Sequence, residues 1–515
     1  MAKRLLPIGI QTFRKLRKRN YYYVDKTPYA MQLIGEGTHY FLSRPRRFGK
    51  SLFLDTLKAL FEGRRELFQG LHAHGDWEWS VRHPVVRLDF SGGDFEERGY
   101  LRTNLMAQLD AIEEEAGIRT RYDTGPERLA DLIRGLHRQS GRGVAVLVDE
   151  YDKPILDALD VPEIARANRN YLRGLYAVLK SCDAQIRFCM LTGVSRFSKV
   201  SLFSGLNNLI DITLEPAYSS ICGYTESDLD DVFAAELEGL DRDRVRDWYN
   251  GYSWGGVEKV YNPFDALLLF RKRTFSAWWF ETATPTFLVE TLVKRGIATA
   301  SLDGRLASEK LLGTFDVGRI ATEALLFQTG YLTIQGQEDR LGKHYYRLGY
   351  PNREVRESLN ESLVDYLTGD DPERETNAMR LGDLLLKADF AGLERLFRAM
   401  YAGIPYEWHI RNEIARFEGY YASVFYSYFA GLGLEVRVEE SGSAGRLDMA
   451  VRAGGRVFLF EFKVLERSGP GAAMAQLKER GYADKYRHLG EPVHLVAVEF
   501  SAKTRNIAGF ETAQA

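Results

Sequence analysis

The chain has 515 residues, of which 45% are hydrophobic and 27% charged, with 69 Lys+Arg against 71 Asp+Glu. That length exceeds one ordinary core, so roughly three domains are expected, and the near-balance of charge excludes a globally basic nucleic-acid binder while leaving local basic patches open. Cys182, Cys189 and Cys222 show no paired metal-ligand spacing or disulfide framework, and neither a signal-peptide core nor a run near the ~18 apolar residues of a membrane span is present, so the expectation is a cytoplasmic protein with no membrane partner.

In chain order, the run Phe13-Arg14-Lys15-Leu16-Arg17-Lys18-Arg19 reads as a solvated helix face, with nucleic-acid contact the alternative. Thr27-Pro28 predicts a helix start, with Thr27 as N-cap. Apolar Tyr40-Phe41-Leu42 is a strand, followed by Arg44-Pro45-Arg46-Arg47-Phe48-Gly49-Lys50-Ser51 and a helical segment from Leu52. Further strands are expected at His83–Ser91, Val144–Val148, Arg187–Val194 and Leu209–Leu214, alternating with helical periodicity over 96–116, 126–140 and 162–180. Strands alternating with helices over this length predict an N-terminal doubly wound parallel α/β domain.

From about 217 the pattern becomes helical, with Thr225 and Asp228 spaced as a capping box. The segment Trp248–Gly256 is an aromatic turn, read as a small core rather than a base-stacking surface. A hairpin is expected around Tyr331–Ile334 and His344–Leu348. Past 410 the alternation returns: a helix over Glu418–Phe429, strands at Leu434–Glu439, Arg446–Val451 and Val457–Lys463 with a turn at Ala453–Gly455, a helix over Ala472–Arg487, and a closing strand at Val493–Glu499. The expected domains are 1–216, a helical middle region 217–405, and a C-terminal α/β domain 406–515.

Strand, loop ending in Gly49-Lys50-Ser51, then helix is the build of a phosphate-binding loop: backbone N–H groups face the phosphates, Lys50 adds charge and Ser51 can hold Mg²⁺. The usual first Gly of such a loop is replaced by Arg44, which predicts a stiffer loop with three arginines around the phosphates. Asp149-Glu150 closes the Val144–Val148 run; the Asp can hold Mg²⁺ and the Glu can orient attacking water. Thr192 at the end of the next strand is a candidate γ-phosphate sensor, and Arg196 a candidate charge neutraliser or a surface ion-pair residue.

A second constellation lies near the C-terminus. The two-residue period of a strand puts Glu461 and Lys463 on one face, where Asp448 from the paired strand can converge. Two carboxylates can bind Mg²⁺, and a lysine can orient a nucleophile at a phosphodiester. The alternative is a surface charge triplet on an edge strand.

Together, Arg44–Ser51, Val148-Asp149-Glu150-Tyr151-Asp152-Lys153-Pro154, Leu191-Thr192-Gly193-Val194-Ser195-Arg196-Phe197, Ser204-Gly205-Leu206-Asn207-Asn208, Asn250-Gly251-Tyr252, Tyr261-Asn262-Pro263, Gly445-Arg446-Leu447-Asp448 and Glu461-Phe462-Lys463 resemble the bacterial AAA-ATPase-like family that carries a C-terminal PD-(D/E)XK nuclease-like domain. The resemblance spans nearly the whole chain. It implies ATP and Mg²⁺ at Lys50, Ser51, Asp149 and Glu150; Arg46, Arg47, Phe48, Gly49, Thr192 and Arg196 are further candidate ATP contacts. It also implies a metal-dependent nuclease site at Asp448, Glu461 and Lys463, with Gln476 and Glu418 as weaker additions. DNA or RNA is the implied partner, and homo-oligomers are common among AAA relatives, although no arginine here is assignable as a trans finger. The competing reading is an ATP-dependent regulatory or nucleic-acid-binding switch whose nuclease-like fold is inactive.

Overall fold

Apolar runs in the first part of the chain become strands buried on both faces. Strands β1 (His39–Ser43) and β3 (Val144–Asp149) are buried along their whole length. With β2 (Val85–Asp89), β4 (Ile186–Gly193) and the two-residue β5 (Ile210–Asp211), they form an all-parallel five-stranded sheet in the order β2-β3-β4-β1-β5. Helices Lys50–Phe61, Tyr100–Ala116, Gly125–Ser140 and Pro162–Ser181 connect these strands, as the alternating pattern predicts. Parallel strands end on one edge of the sheet. β4 lies between β1 and β3, so the residues that follow all three strands meet where ligands bind in open α/β sheets.

This computed structural model describes residues 4–196, 202–203, 206, 208–256, 258–280, 286–295, 297–313, 320–368, 374–402, 418–442 and 445–515. Phe197, Ser204, Gly205 and Asn207 of the motifs quoted above lie outside the described residues, as does the side chain of Glu418.

The chain divides into two compact units, one of Met1–Trp279 with Leu306–Asn352, the other of Phe280–Arg305 with Arg353–Ala515. Segments of the helical middle region expected over 217–405 fall in both units. In the first unit, a capping box forms at Glu226–Val232, with Thr225 and Asp228 each bonding the other's backbone N–H. The helix Thr27–Glu36 starts with Pro28 in its first turn, but Thr27 is inside it rather than its N-cap. Asp25 does the capping, accepting from both the Thr27 N–H (2.9 Å) and the Thr27 hydroxyl (2.7 Å). The aromatic turn is core: Tyr249, Tyr252, Trp254 and Tyr261 are all buried. Strands β6 (Arg305–Ser308), β7 (Thr333–Arg340) and β8 (Lys343–Gly349) make a small sheet in the order β6-β8-β7, its β7-β8 hairpin falling where sequence alternation places it.

The second unit contains a five-stranded mixed sheet in the order β13-β12-β11-β10-β9. Strands β9 (Glu435–Gly442), β10 (Gly445–Ala453) and β11 (Arg456–Val464) are antiparallel neighbours, whereas β11 and β12 (Val493–Ser501) run parallel. Gly454 and Gly455 both have positive φ (56° and 69°), which the two-residue turn joining β10 to β11 requires. One strand is not expected from sequence: β13 (Asn506–Gln514), paired antiparallel with β12. The helix expected over 472–487 ends at Glu479 and gives way to a 3₁₀ segment, Tyr482–Leu489, after Gly481 at φ 57°.

Candidate nucleotide site and candidate nuclease site

The loop after β1 is built around a buried arginine. Arg44 is fully buried, and its guanidinium donates to the carbonyl oxygens of Ser43 (2.8 Å), Thr213 (2.9 Å) and Tyr218 (2.9 Å) while lying 4.2 Å from the Trp254 ring centroid. Burial lowers its pKa to about 10. The expectation of three arginines around the phosphates is corrected here. Arg44 points into the core, and only Arg46 and Arg47 reach the surface. A side chain replacing the usual Gly therefore stiffens the loop by anchoring it.

Phe48 is likewise an anchor. Its ring is 1% exposed and packs edge-on against Tyr252 and Trp254 (centroids 4.8 and 5.4 Å), and its carbonyl accepts from the Gly223 N–H. Only its backbone N–H is left to face a ligand. The Arg46 carbonyl accepts from the Trp279 indole at 3.3 Å, and Arg47, at φ 70°, lies over Phe264 at 4.8 Å. Gly49 has φ 100°, a conformation open to glycine and strained for other residues, and begins the helix Lys50–Phe61. The Lys50 ammonium donates to the carbonyls of Arg44 (2.9 Å) and Pro45 (3.0 Å), spanning the mouth of the loop. Ser51 follows in the first turn, half-buried.

Across β4, Asp149 ends β3 with 1% exposure. Its Oδ1 accepts from the Thr192 hydroxyl (2.8 Å) and the Glu150 N–H (3.1 Å), while its Oδ2 is buried with no hydrogen-bond partner and has the Arg87 guanidinium 3.6 Å away. Glu150 adopts φ 48° and its pKa is raised, mainly by burial, with Lys50 opposing. That opposition reflects how the fold brings loop and acids together. The Thr192 hydroxyl is thus engaged by Asp149. Arg196 is paired with Asp211 (2.5 Å) and Glu309 (3.5 Å), and its side chain is largely buried.

Two residues with a clear part in this geometry carry no role in the sequence reading. Asp152, 1% exposed, accepts from the N–H groups of Val194 (3.1 Å) and Ser195 (2.5 Å) and from the Ser195 hydroxyl, tying the turn after β3 to the turn after β4. A Cβ on Gly193 would lie 2.3 Å from Asp152 Oδ1, so glycine is needed beside it. The second is Arg87, whose available signal is a cation inside an otherwise apolar strand; it bridges Asp149 and Asp55, donating to Asp55 Oδ1 at 2.6 Å.

In the second unit, Asp448 on β10 accepts the Phe462 N–H at 2.8 Å. Glu461 on β11 is fully buried; its Oε1 accepts from Lys463 (2.9 Å) and from the Gln476 amide, and its Oε2 is buried without a hydrogen-bond partner. Burial, then the neighbouring Asp448 charge, raises the Glu461 pKa to about 7 against the pull of Lys463. The edge-strand alternative fails, because β11 is central in its sheet, between β10 and β12. Glu499, 8% exposed, stands in register with Lys463 on β12 and accepts the Ala473 N–H (3.4 Å) at the start of the helix that carries Gln476. Glu418 begins the helix Glu418–Gly431.

A parallel nucleotide-type sheet followed by a strand-borne Asp…Glu-x-Lys site defines a two-part protein, an AAA-ATPase-like domain joined to a nuclease-like domain. Residues 7–203 match the family model described as "Predicted AAA-ATPase", and residues 416–510 match the "PD-(D/E)XK nuclease superfamily". The chain belongs to this AAA-ATPase-like family with a C-terminal PD-(D/E)XK nuclease superfamily domain. It is 57% identical over 512 residues, 99% of each chain, to an Azotobacter chroococcum mcd 1 protein described as "Uncharacterized protein in vnfD 5'region". Among the described residues, no helix is long and apolar enough to cross a membrane, and no group of three or more His, Cys, Asp or Glu side chains is arranged to hold a metal ion.

Proposed function

We propose that the chain binds and hydrolyses ATP at the loop Arg44–Ser51 and cleaves nucleic acid at Asp448, Glu461 and Lys463 in a metal-dependent way, the two activities being coupled. One observation carries this reading. Each candidate site holds a buried carboxylate oxygen with no hydrogen-bond partner, Asp149 Oδ2 and Glu461 Oε2. Buried polar atoms are almost always hydrogen-bonded, and a carboxylate oxygen that is not, as Glu461 Oε2 and, beside its ion pair with Arg87, Asp149 Oδ2, has the chemistry of a hard-cation ligand.

At the first site, Lys50 and the exposed Arg46 and Arg47 neutralise phosphate charge, and Ser51 and Asp149 would hold Mg²⁺. Glu150, its pKa raised by burial, is better matched to accepting a proton from water near neutral pH than an ordinary glutamate. Thr192 keeps Asp149 oriented, and Asp152 fixes the backbone that follows Thr192.

At the second site, Glu461 and Asp448 would hold Mg²⁺, which supplies an activated water and stabilises the leaving oxygen of a phosphodiester. Gln476 fixes the Glu461 carboxylate so that Oε2 faces the site, and Lys463 is placed to orient the nucleophile. The test is incubation of the full chain with Mg²⁺ or Mn²⁺ and plasmid, linear and single-stranded DNA or RNA, with and without ATP. Metal-dependent cleavage that falls on the order of 10³-fold in Asp448→Ala is expected. Absence of cleavage with either metal, or cleavage undiminished by Asp448→Ala, overturns the nuclease half.

A further inference from the structure

The charge balance of the whole chain conceals a strongly one-sided segment. Residues 1–24 contain seven Lys/Arg and no Asp/Glu. Five of these cations fall within Arg14–Arg19, on and just after the helix Phe13–Lys18. Arg14, Lys15, Lys18 and Arg19 are exposed, and none forms an ion pair among the described residues. Arg14 with Lys18, and Lys15 with Arg19, stand four residues apart, a like-charge spacing that disfavours a helix. The cluster is thus held against its own repulsion, with no acid among the described residues matched to it.

The other face of the segment is fixed. Phe13 and Leu16 are buried, Phe13 packing against Phe68 and Tyr23 (centroids 4.9 and 5.2 Å). Arg17 turns inward and donates to the carbonyls of Leu67 (2.8 Å) and Gln69 (2.6 Å). Asp55, on the helix that begins at Lys50, accepts the Phe13 N–H at 2.7 Å. Asp55 also accepts from Arg87, the residue beside Asp149. The segment is therefore a rigid platform presenting positive charge, bolted to the element that carries the phosphate loop.

We infer that the exposed face of Phe13–Arg19 is a docking surface for the phosphate backbone of nucleic acid. This rests on the reading that the chain acts on nucleic acid and names where the polymer sits. A rigid row of unpaired cations is the chemistry that binds polyphosphate without reading sequence. A membrane surface fits less well, because the helix buries both of its apolar residues and offers lipid no inserting face.

The experiment measures binding of a fluorescent duplex of arbitrary sequence to the full chain by anisotropy, in EDTA and without ATP, between about 50 and 200 mM salt. Neutralising three cations (Arg14→Gln, Lys15→Gln and Lys18→Gln together) is expected to lower the slope of log K against log salt by about 2 to 3, at ~0.9 per phosphate contact. Neutralising Arg119 and Arg121 (both to Gln) is expected to leave the slope unchanged. Thermal unfolding of each variant shows that the fold is kept, as these side chains are exposed. Three results overturn the proposal: no duplex binding by wild type, an unchanged slope in the triple variant, or an equal loss in the control. Preferential binding of the basic face to anionic vesicles over duplex also overturns it. Because EDTA removes catalysis from the measurement, an inactive nuclease site leaves this result standing, and a failed docking surface leaves the Asp448→Ala test standing.

Discussion

The two acidic sites solve the same problem with different partners. At the end of β3, Asp149 has a hydroxyl on one oxygen and the Arg87 guanidinium 3.6 Å from the other, with Lys50 acting on the adjacent Glu150. In the second unit, Lys463 and Gln476 share one oxygen of Glu461, the other oxygen has no hydrogen-bond partner, and the nearest charge that raises its pKa is another carboxylate, Asp448. At the first site Lys50 opposes, without overcoming, the burial that raises the Glu150 pKa. At the second, burial first and then the Asp448 charge outweigh Lys463, and the Glu461 pKa rises to about 7. The difference teaches that the first site sets a lysine and an arginine from separate elements against its acids, whereas Glu461 is met by a lysine of its own strand.

If fixed cations are what make the first site ready, removing the one at its mouth has the largest effect. Lys50→Ala is expected to reduce ATP turnover on the order of 10³-fold, the upper range for losing one preorganised charge-stabilising group. Nucleotide affinity, measured with a fluorescent ATP analogue, should fall with it. Affinity equal to wild type would show that the loop is not where phosphates bind.

The second effect concerns the fold rather than chemistry. Arg44→Leu keeps bulk near Trp254 but takes the guanidinium from the carbonyls of Ser43, Thr213 and Tyr218, of which Tyr218 keeps the Ile221 N–H. We expect about 2 kcal/mol lost from the first unit, since each buried acceptor left unpaired costs on the order of 1 kcal/mol or more. Urea unfolding followed by the fluorescence of buried tryptophans reads this out. A loss below about 0.5 kcal/mol, the range of ordinary surface changes, would mean that the arginine is not an anchor.

Much of this comparison is legible in sequence, and the parts that are not have physical reasons. Fully buried parallel strands need continuous apolar runs, so β1, β3 and β4 declare themselves, as do the acids that end β3. Period-two alternation likewise puts Glu461 and Lys463 on one face from their spacing alone. The direction of Arg44 is illegible, because the same residue can face phosphate or carbonyls, and the carbonyls come from Thr213 and Tyr218, 169 and 174 positions away. Phe48 is hidden for the same reason: the aromatic turn that receives it reads as a core, but nothing local says what else enters that core. Strand β13 escapes because Asn506–Gln514 is an edge strand rich in Ala, Gly, Thr and Glu with no clean alternation of burial. Asp152 stands within a recognisable motif, yet its partners are largely backbone N–H groups, which carry no sequence signal. The division of the helical middle between two units follows from long-range contacts that periodicity does not encode.

The smallest effect is the one that separates the two sites most cleanly, because it depends on Glu461 alone. With a pKa near 7, raised from 4.5, metal-free Glu461 must release a proton before it can hold a cation. Apparent Mn²⁺ affinity of the second site is therefore expected to fall about tenfold per pH unit below 7 and to level off above it, one proton being displaced per ion bound. The same shift fixes the sign of its contribution to stability. Between about 4.5 and 7 the folded state binds the proton that the unfolded state has already lost, so stability of the metal-free second unit falls as pH rises through that window and is flat above it. Saturating metal reverses the preference and removes the slope. Calorimetric titration in two buffers of different ionisation enthalpy, at pH 6 and pH 8, counts the protons. Glu461→Gln, which cannot ionise, should lose both the pH dependence and the proton release while Asp448 remains. Proton release that is equal at both pH values would mean that Glu461 is already ionised without metal, and the contrast between the two acid pairs would then have to rest on geometry instead of charge.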